Sequence, residues 1–415
     1  MSQTSIKLTH PAKEIKGTVQ LTGSKSESNR ALIIQALSEG KVQIANLSEA
    51  DDTVLLTRAI AIANEAGKEQ VVIDIGPAGT AMRFMTSYLN LLPGDFILTG
   101  TERMQQRPIG ILVDAWKEIG ADIHYQKKSG FPPLHIEGKL FQNKDTVRIK
   151  GNISSQYISS LLLSAASLKK GLTLEIDGEL TSRPYVTMTL HMLAEAGIQH
   201  SWVGQQIQIL PQKAKEITLY IEPDWSAASY WYAMVALSKD GEIRLPGLKK
   251  NSLQGDIAIV DIMQHFGVET VFEEKGIYLK KTKVSSDKTL FDFKACPDLA
   301  QTVVVVAAAL RKNVSFTGLE TLKIKETDRI AALQNEIGKF GAVLTEDNAV
   351  YHLDSSRVFQ PEHISIATYE DHRMAMAFAP LALVFESVHI EEPQVVEKSY
   401  PAYWEHLQQQ GFSIG

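Results

Sequence analysis

A single cysteine, Cys296, stands in a chain of 415 residues, so no intrachain disulfide and no multi-thiolate metal site can form. The chain also lacks a long apolar run. Its best candidates, near 302–310 and 374–385, are too short to span a bilayer. The opening MSQTSIKLTHPAKEIKG has no apolar signal core. Positive charge is scarce as well: a net charge of −6 argues against a general nucleic-acid or membrane surface. His372 has no partner at His-x-x-x-His spacing, so no metal site is read. No Gly-Lys-Ser/Thr follows the Gly76–Thr80 turn, which excludes a P-loop. A cytoplasmic protein without metal, nucleic-acid or membrane partners is the expectation, and at this length two domains.

What is present is a set of six long apolar helices, each beginning at hydroxyl or charged residues. The starts read Ser24-Lys25-Ser26-Glu27-Ser28-Asn29-Arg30, Gly76-Pro77-Ala78-Gly79-Thr80, Ser154-Ser155-Gln156, Asp224-Trp225-Ser226, Cys296-Pro297-Asp298 and Tyr369-Glu370-Asp371-His372-Arg373. A helix N-terminus presents unpaired N–H groups and the positive end of its dipole, and so favours anions. Each helix is followed by a short alternating strand, then by a more amphipathic helix over 51–64, 108–119, 184–196, 256–266, 327–340 and 401–410. Glycines such as Gly120 and Gly341 mark helix ends. The pattern is an α/β fold of six repeated helix-strand-helix-strand-strand units, three per domain. The first helix of each unit, apolar nearly all round, is buried inside its domain.

Several strings carry chemistry. Ser26 and Arg30, four residues apart, share a helical face suited to a carboxylate, and Lys25 sits in a first turn where it opposes the helix dipole. Gly76 and Gly79 permit close backbone approach to a ligand. Arg107 directly precedes Pro108, read as part of a first helical turn. Ser154, Ser155, Gln156, Ser182 and Tyr185 offer hydroxyls and an amide for phosphate oxygens, though each taken alone reads as an ordinary cap. Lys325 and Arg329 are read one helical turn apart with Glu326 between them, an arrangement fit for proton transfer beside an anion. A surface salt-bridge helix would look alike. Asp298 is either an N-cap or a base.

Taken together, Gly23-Ser-Lys-Ser-x-Ser-Asn-Arg30, Lys323-x-Lys-Glu-Thr-Asp-Arg329, Asp371-His-Arg-Met-Ala-Met376 and Lys398 resemble the 5-enolpyruvylshikimate-3-phosphate synthase family over nearly the whole chain. The resemblance implies a two-domain inside-out α/β barrel, with 1–22 and 223–415 forming one domain, 23–222 the other, and the active site between them. It implies enolpyruvyl transfer from phosphoenolpyruvate to the 5-hydroxyl of shikimate 3-phosphate, by a monomer and without a cofactor. By resemblance, shikimate 3-phosphate would meet Lys25, Ser26, Arg30, Ser154, Ser155, Gln156, Ser182, Tyr185, Asp298, Thr321 and Lys325. Phosphoenolpyruvate would meet Lys25, Gly79, Arg107, Gln156, Arg329, Arg373 and Lys398. Asp298 would act as base and Glu326 as proton donor, assisted by Lys25. The two substrates bring about −5 to −6 of charge, which the listed cations match.

The chain departs from the family pattern at Pro77 and Thr321, each in place of Asn, and at Glu370, where Asn is common. Pro77 removes one N–H near phosphoenolpyruvate. The family is the target of glyphosate, and Gly79 is retained. Two alternatives are a UDP-N-acetylglucosamine enolpyruvyl transferase, which usually carries a cysteine donor in a mobile loop, and a non-catalytic anion-binding homologue. In this chain the matching loop is Thr101–Arg107, and the one cysteine lies elsewhere.

Overall fold

Helices that are apolar on every side have no solvent face, and in this protein they form the inside. The computed structural model describes residues 5–67, 69–152, 154–284 and 286–415. The chain divides into two compact units, one holding the described residues up to Thr22 together with Glu222–Gly415, the other Gly23–Ile221. In the second unit the helices Lys25–Leu37, Gly79–Leu89 and Ser155–Ala165 pack on one another. In the first unit Trp225–Leu237, Ala300–Ala309 and His372–Phe378 do the same. Trp225–Leu237 buries every residue except Ser226. Val303, Val304, Val305 and Val306 are poor helix formers by propensity, and complete burial overrides that preference.

Sheets and amphipathic helices lie around each inner trio. The helix Gly110–Ile119 turns Leu112, Val113, Ala115, Trp116 and Ile119 inward. Its Trp116 Nε1 donates to Ser87 Oγ at 2.7 Å, and Ser87 meets Ser160 of the next inner helix at 2.5 Å. In four sheets the strand before an inner helix runs parallel to the strand after it, and in three of these the next hairpin adds antiparallel strands, as in Gln70–Asp74, Asp95–Thr99, Leu134–Glu137 and Asp122–Tyr125. Gly120 and Gly341, at φ 122° and 90°, end their helices in the left-handed region.

Each unit closes on strands distant in sequence. Ile217–Tyr220 pairs parallel with Val42–Ala45, Leu219 facing Ile44. Glu14–Thr18 joins Asp240–Pro246, and Ser5–Thr9 lies between Ser387–Glu391 and Ser413–Ile414. The first repeat departs from the five-element plan. Its sheet has two strands, because only Glu65–Glu69 separates the helix Asp51–Asn64 from the next strand, too few residues for a hairpin.

Candidate active site

In the unit Gly23–Ile221, Ser24 Oγ accepts from Glu27 N at 3.4 Å and caps the first inner helix. Lys25 Nζ lies 3.2 Å from the buried carboxylate of Asp52. Arg30 is buried, yet no carboxylate lies within ion-pair distance of it among the described residues. Its Nε donates to Thr189 Oγ1 at 2.7 Å, Nη1 to the Ser26 carbonyl at 2.8 Å, and Nη2 to Ser159 Oγ at 3.2 Å and the Tyr185 carbonyl at 3.3 Å. The Phe84 and Tyr185 rings stand 5.7 and 5.9 Å from the guanidinium carbon. Burial pushes its pKa down to about 10, with Tyr185 and Glu27 opposing. A buried cation among neutral acceptors is costly until an anion reaches it.

Arg107 follows a 3-10 turn, Met104–Gln106, and the next helix begins at Gly110, so Pro108 precedes the helix rather than opening it. Its guanidinium lies over Gly79, the first residue of an inner helix. A Cβ added at Gly79 would stand 2.5 Å from Arg107 Nη1. Gln156 Nε2 donates to Thr80 Oγ1 at 3.0 Å, tying two inner helix starts together. Ser154 Oγ accepts from Gln156 N at 3.4 Å, and Ser155 is buried beside it. Ser182 precedes the helix Arg183–Glu195 in the left-handed region (φ 52°, ψ 39°), and its side chain does not cap the helix. A serine held there is strained, a cost often stored where a ligand is gripped. Arg30 thus joins the helices that start near Ser26, Ser155 and Tyr185.

The other unit carries a denser cluster. Asp298 Oδ1 lies 3.2 Å from Arg329 Nη1 and 3.9 Å from Lys325 Nζ, while Oδ2 accepts from Arg373 Nη2 at 2.9 Å. Glu326 Oε2 accepts from Arg329 Nη2 at 2.9 Å, and Oε1 lies 3.4 Å from Lys398 Nζ. Arg329 is buried; its Nε donates to Asp371 Oδ2 at 2.6 Å. Burial alone would lower its pKa, but Asp371, Glu326 and Asp298 outweigh that and raise it. Arg373 Nη1 also reaches the Asp298 carbonyl at 3.2 Å and Tyr230 Oη at 3.4 Å.

Two local expectations change. Lys325 closes a 3-10 turn, Glu320–Ile324, and the α-helix starts only at Arg329, where Asp328 caps it through Ile330 N and Ala331 N. Lys325 and Arg329 therefore meet at Asp298 through a bent loop and not along a helical face. Asp298 is the N-cap residue neither of the 3-10 turn Pro297–Leu299 nor of the helix Ala300–Ala309; its carboxylate is held by cations. Thr321 sits half-buried in the same 3-10 turn.

Known proteins resemble this chain over nearly its whole length. The family model for EPSP synthase (3-phosphoshikimate 1-carboxyvinyltransferase) matches residues 9–407. The chain belongs to the EPSP synthase family. A 3-phosphoshikimate 1-carboxyvinyltransferase of Bacteroides fragilis is 50% identical over 403 residues, covering 97% of each chain. Another from Sulfurovum sp. is 36% identical, covering 96% of this chain and 97% of its own. The solved EPSP synthase of Acinetobacter baumannii shares the fold at a TM-score of 0.79 and 19% identity, covering 99% of this chain and 100% of that one.

Within this EPSP synthase family member, several residues of the cluster carried no local signal. Asp371 accepts from Arg373 N at 2.9 Å, so its string reads as a helix cap and hides the clamp on Arg329. Thr189 and Ser159 hold Arg30 from other helices; their only trace is one-turn spacing from Tyr185 and Ser155. Cys296 is buried, and burial first, then Asp256, Asp292 and Asp298, raises its thiol pKa far above the ordinary range. That makes it a poor proton donor near neutrality. Among the described residues no group of His, Cys, Asp and Glu is arranged to hold a metal ion, and no helix is long and apolar enough to cross a membrane.

Proposed function

We propose that this protein transfers the enolpyruvyl group of phosphoenolpyruvate to the 5-hydroxyl of shikimate 3-phosphate, releasing phosphate on the route to chorismate and aromatic amino acids. The observation that supports it most is the pair Asp298 and Glu326, two carboxylates each held by cations of one connected cluster. Ser26 and Arg30 hold the shikimate carboxylate. Ser154, Ser155 and Ser182 hold its phosphate, with Tyr185 nearby and Gln156 against the ring, and Thr321 and Lys325 add contacts. Arg107, Arg329, Arg373, Lys398, Gln156 and the Gly79 backbone hold phosphoenolpyruvate, and Lys25 touches both substrates. The protein acts as a cytoplasmic monomer without a cofactor.

The chemistry follows from where charge develops. C3 of phosphoenolpyruvate gains a proton as C2 becomes electrophilic, and the 5-hydroxyl loses its proton as it attacks. The resulting tetrahedral ketal phosphate then expels phosphate as its C3 methyl returns a proton to the Glu326 carboxylate, which restores the double bond of the enolpyruvyl group. Asp298 takes the hydroxyl proton. Glu326 delivers the proton to C3: anionic substrate beside Lys398 and Arg329 opposes their pull, and the carboxyl becomes easier to protonate. Lys25 assists. The cations that grip the phosphate also stabilise it as it leaves.

Phosphate release from phosphoenolpyruvate, measured with shikimate 3-phosphate and separately with UDP-N-acetylglucosamine, tests the reading. Turnover is expected only with the first acceptor. Turnover only with the sugar nucleotide would transfer the chain to the sister activity, and none with either would leave an anion-binding homologue.

A further inference from the structure

Ser226 is the one residue of the helix Trp225–Leu237 that is not buried. Its hydroxyl stands between two charged groups: Oγ donates to Asp256 Oδ2 in a short bond and accepts from Arg373 Nη2 at 3.4 Å. The single hydroxyl hydrogen is therefore committed to Asp256. Asp256 is 4% exposed, and its Oδ1 makes no hydrogen bond among the described residues. The charged groups around it are Asp298, Arg373 and Asp224, and the Cys296 thiol senses its charge. Burial and then Asp298 push its pKa up to about 7, with Asp224 acting the same way, while Arg373 and the Ser226 bond pull it down.

Charge balance gives this carboxyl a task. Lys325, Arg329, Arg373 and Lys398 already face Asp298, Glu326 and Asp371 in direct ion pairs. An ionised Asp256, with Asp224 also near, adds negative charge beside Arg373 and weakens its pull on an incoming anion. An anion on Arg373 also offsets the one charge that favours ionised Asp256.

We infer that Asp256 and Ser226 form a proton-linked oxyanion subsite beside Arg373. When an oxyanion binds, Asp256 takes one proton from solvent and donates it in a hydrogen bond to Ser226 Oγ. The Ser226 hydrogen, released from the carboxylate, then turns to the anion. No bond other than this O–H is made, and nothing is oxidised or reduced. The inference rests on the proposed reading that Arg373 binds phosphoenolpyruvate.

Titration calorimetry with phosphoenolpyruvate at pH 7.5, in two buffers of different ionisation heat, counts the protons taken up. The wild-type protein should take up about half a proton or more beyond Asp256→Asn, in which the ligand's own titration is unchanged. An equal count in both proteins overturns the inference. Asp256→Asn should also bind phosphoenolpyruvate more tightly than wild type at pH 8, by up to about tenfold, and converge with it near pH 6, where wild-type Asp256 is already protonated. A constant ratio across that range counts against it. Ser226→Ala, which keeps the carboxyl and removes the relay, should weaken phosphoenolpyruvate at pH 6 about three- to tenfold; unchanged affinity there removes Ser226 from the subsite. Arg373→Gln separates the two claims. If it leaves the phosphoenolpyruvate KM unchanged, the site assignment fails; if it raises KM while the proton counts agree, only the proton linkage fails.

Discussion

Arg30 and Arg329 are both buried guanidiniums fixed by residues of their own unit, yet they are satisfied in opposite ways. Arg30 is surrounded by hydroxyls and carbonyls, and its pKa is held down by burial. Arg329 touches three carboxylates, Asp371, Glu326 and Asp298, and its pKa is raised. The first arrangement leaves a cation whose charge an anionic ligand must complete. The second is already faced by carboxylates before any ligand arrives. On the proposed function, one repeated scaffold supports a binding half and a proton-handling half, the difference lying in which residues face the cation.

The comparison breaks most visibly if both arginines are replaced by methionine. Arg329→Met leaves Asp371 buried without its main partner and should cost about 3 to 5 kcal/mol in denaturant unfolding. Arg30→Met exchanges a buried charge for apolar packing and should change stability by no more than about 1 kcal/mol. Equal losses in the two variants would erase the distinction. Next in size, Glu326→Gln should lower kcat by about 10²-fold or more while leaving both KM values near native, because the amide fills the same space but carries no transferable proton. A near-native kcat would take Glu326 out of the chemistry. In the binding half, Arg30→Gln should raise the KM for shikimate 3-phosphate by about 10²-fold, the loss of two charge-assisted bonds, with the KM for phosphoenolpyruvate little changed. A rise shared by both substrates would place Arg30 in some other role.

The repeat was legible because burial leaves a mark at every position: Trp225–Leu237 and His372–Phe378 have no polar face, and only an inner position accepts such helices. The short first repeat was missed, although the spacing carried its trace. The inner helices starting at Lys25 and Gly79 lie 54 residues apart, whereas those starting at Gly79 and Ser155 lie 76 apart, and the difference is the missing hairpin. Asp298 and Arg373 stood out because each opens or precedes an apolar helix, and Glu326 because it lies between Lys325 and Arg329. What stayed hidden joins positions far apart in sequence. Asp256 reads as the first residue of the helix over 256–266; nothing local points to Ser226, 30 positions away. The bend between Lys325 and Arg329 was hidden for another reason. Asp328 caps so well, through two backbone N–H groups, that it starts the helix later than the apolar pattern alone would place it.

The smallest effect probes how the binding half positions Arg107. Arg107 rests on Gly79, and a methyl group there would meet Nη1 at 2.5 Å and Cζ at 2.9 Å. The obstructing atoms are the far end of a flexible side chain, so Gly79→Ala should fold normally, and alanine in a first helical turn is favourable. What changes is where the guanidinium rests. Displaced by a few tenths of an ångström, it should bind phosphoenolpyruvate less well, raising that KM about five- to tenfold, roughly 1 kcal/mol, while kcat at saturation and the KM for shikimate 3-phosphate stay close to native. The same methyl in an Arg107→Ala background has nothing to displace, so the two changes should be non-additive in a double-mutant cycle. Additive losses would mean that Gly79 serves the ligand through its own backbone, and that its contact with Arg107 is incidental.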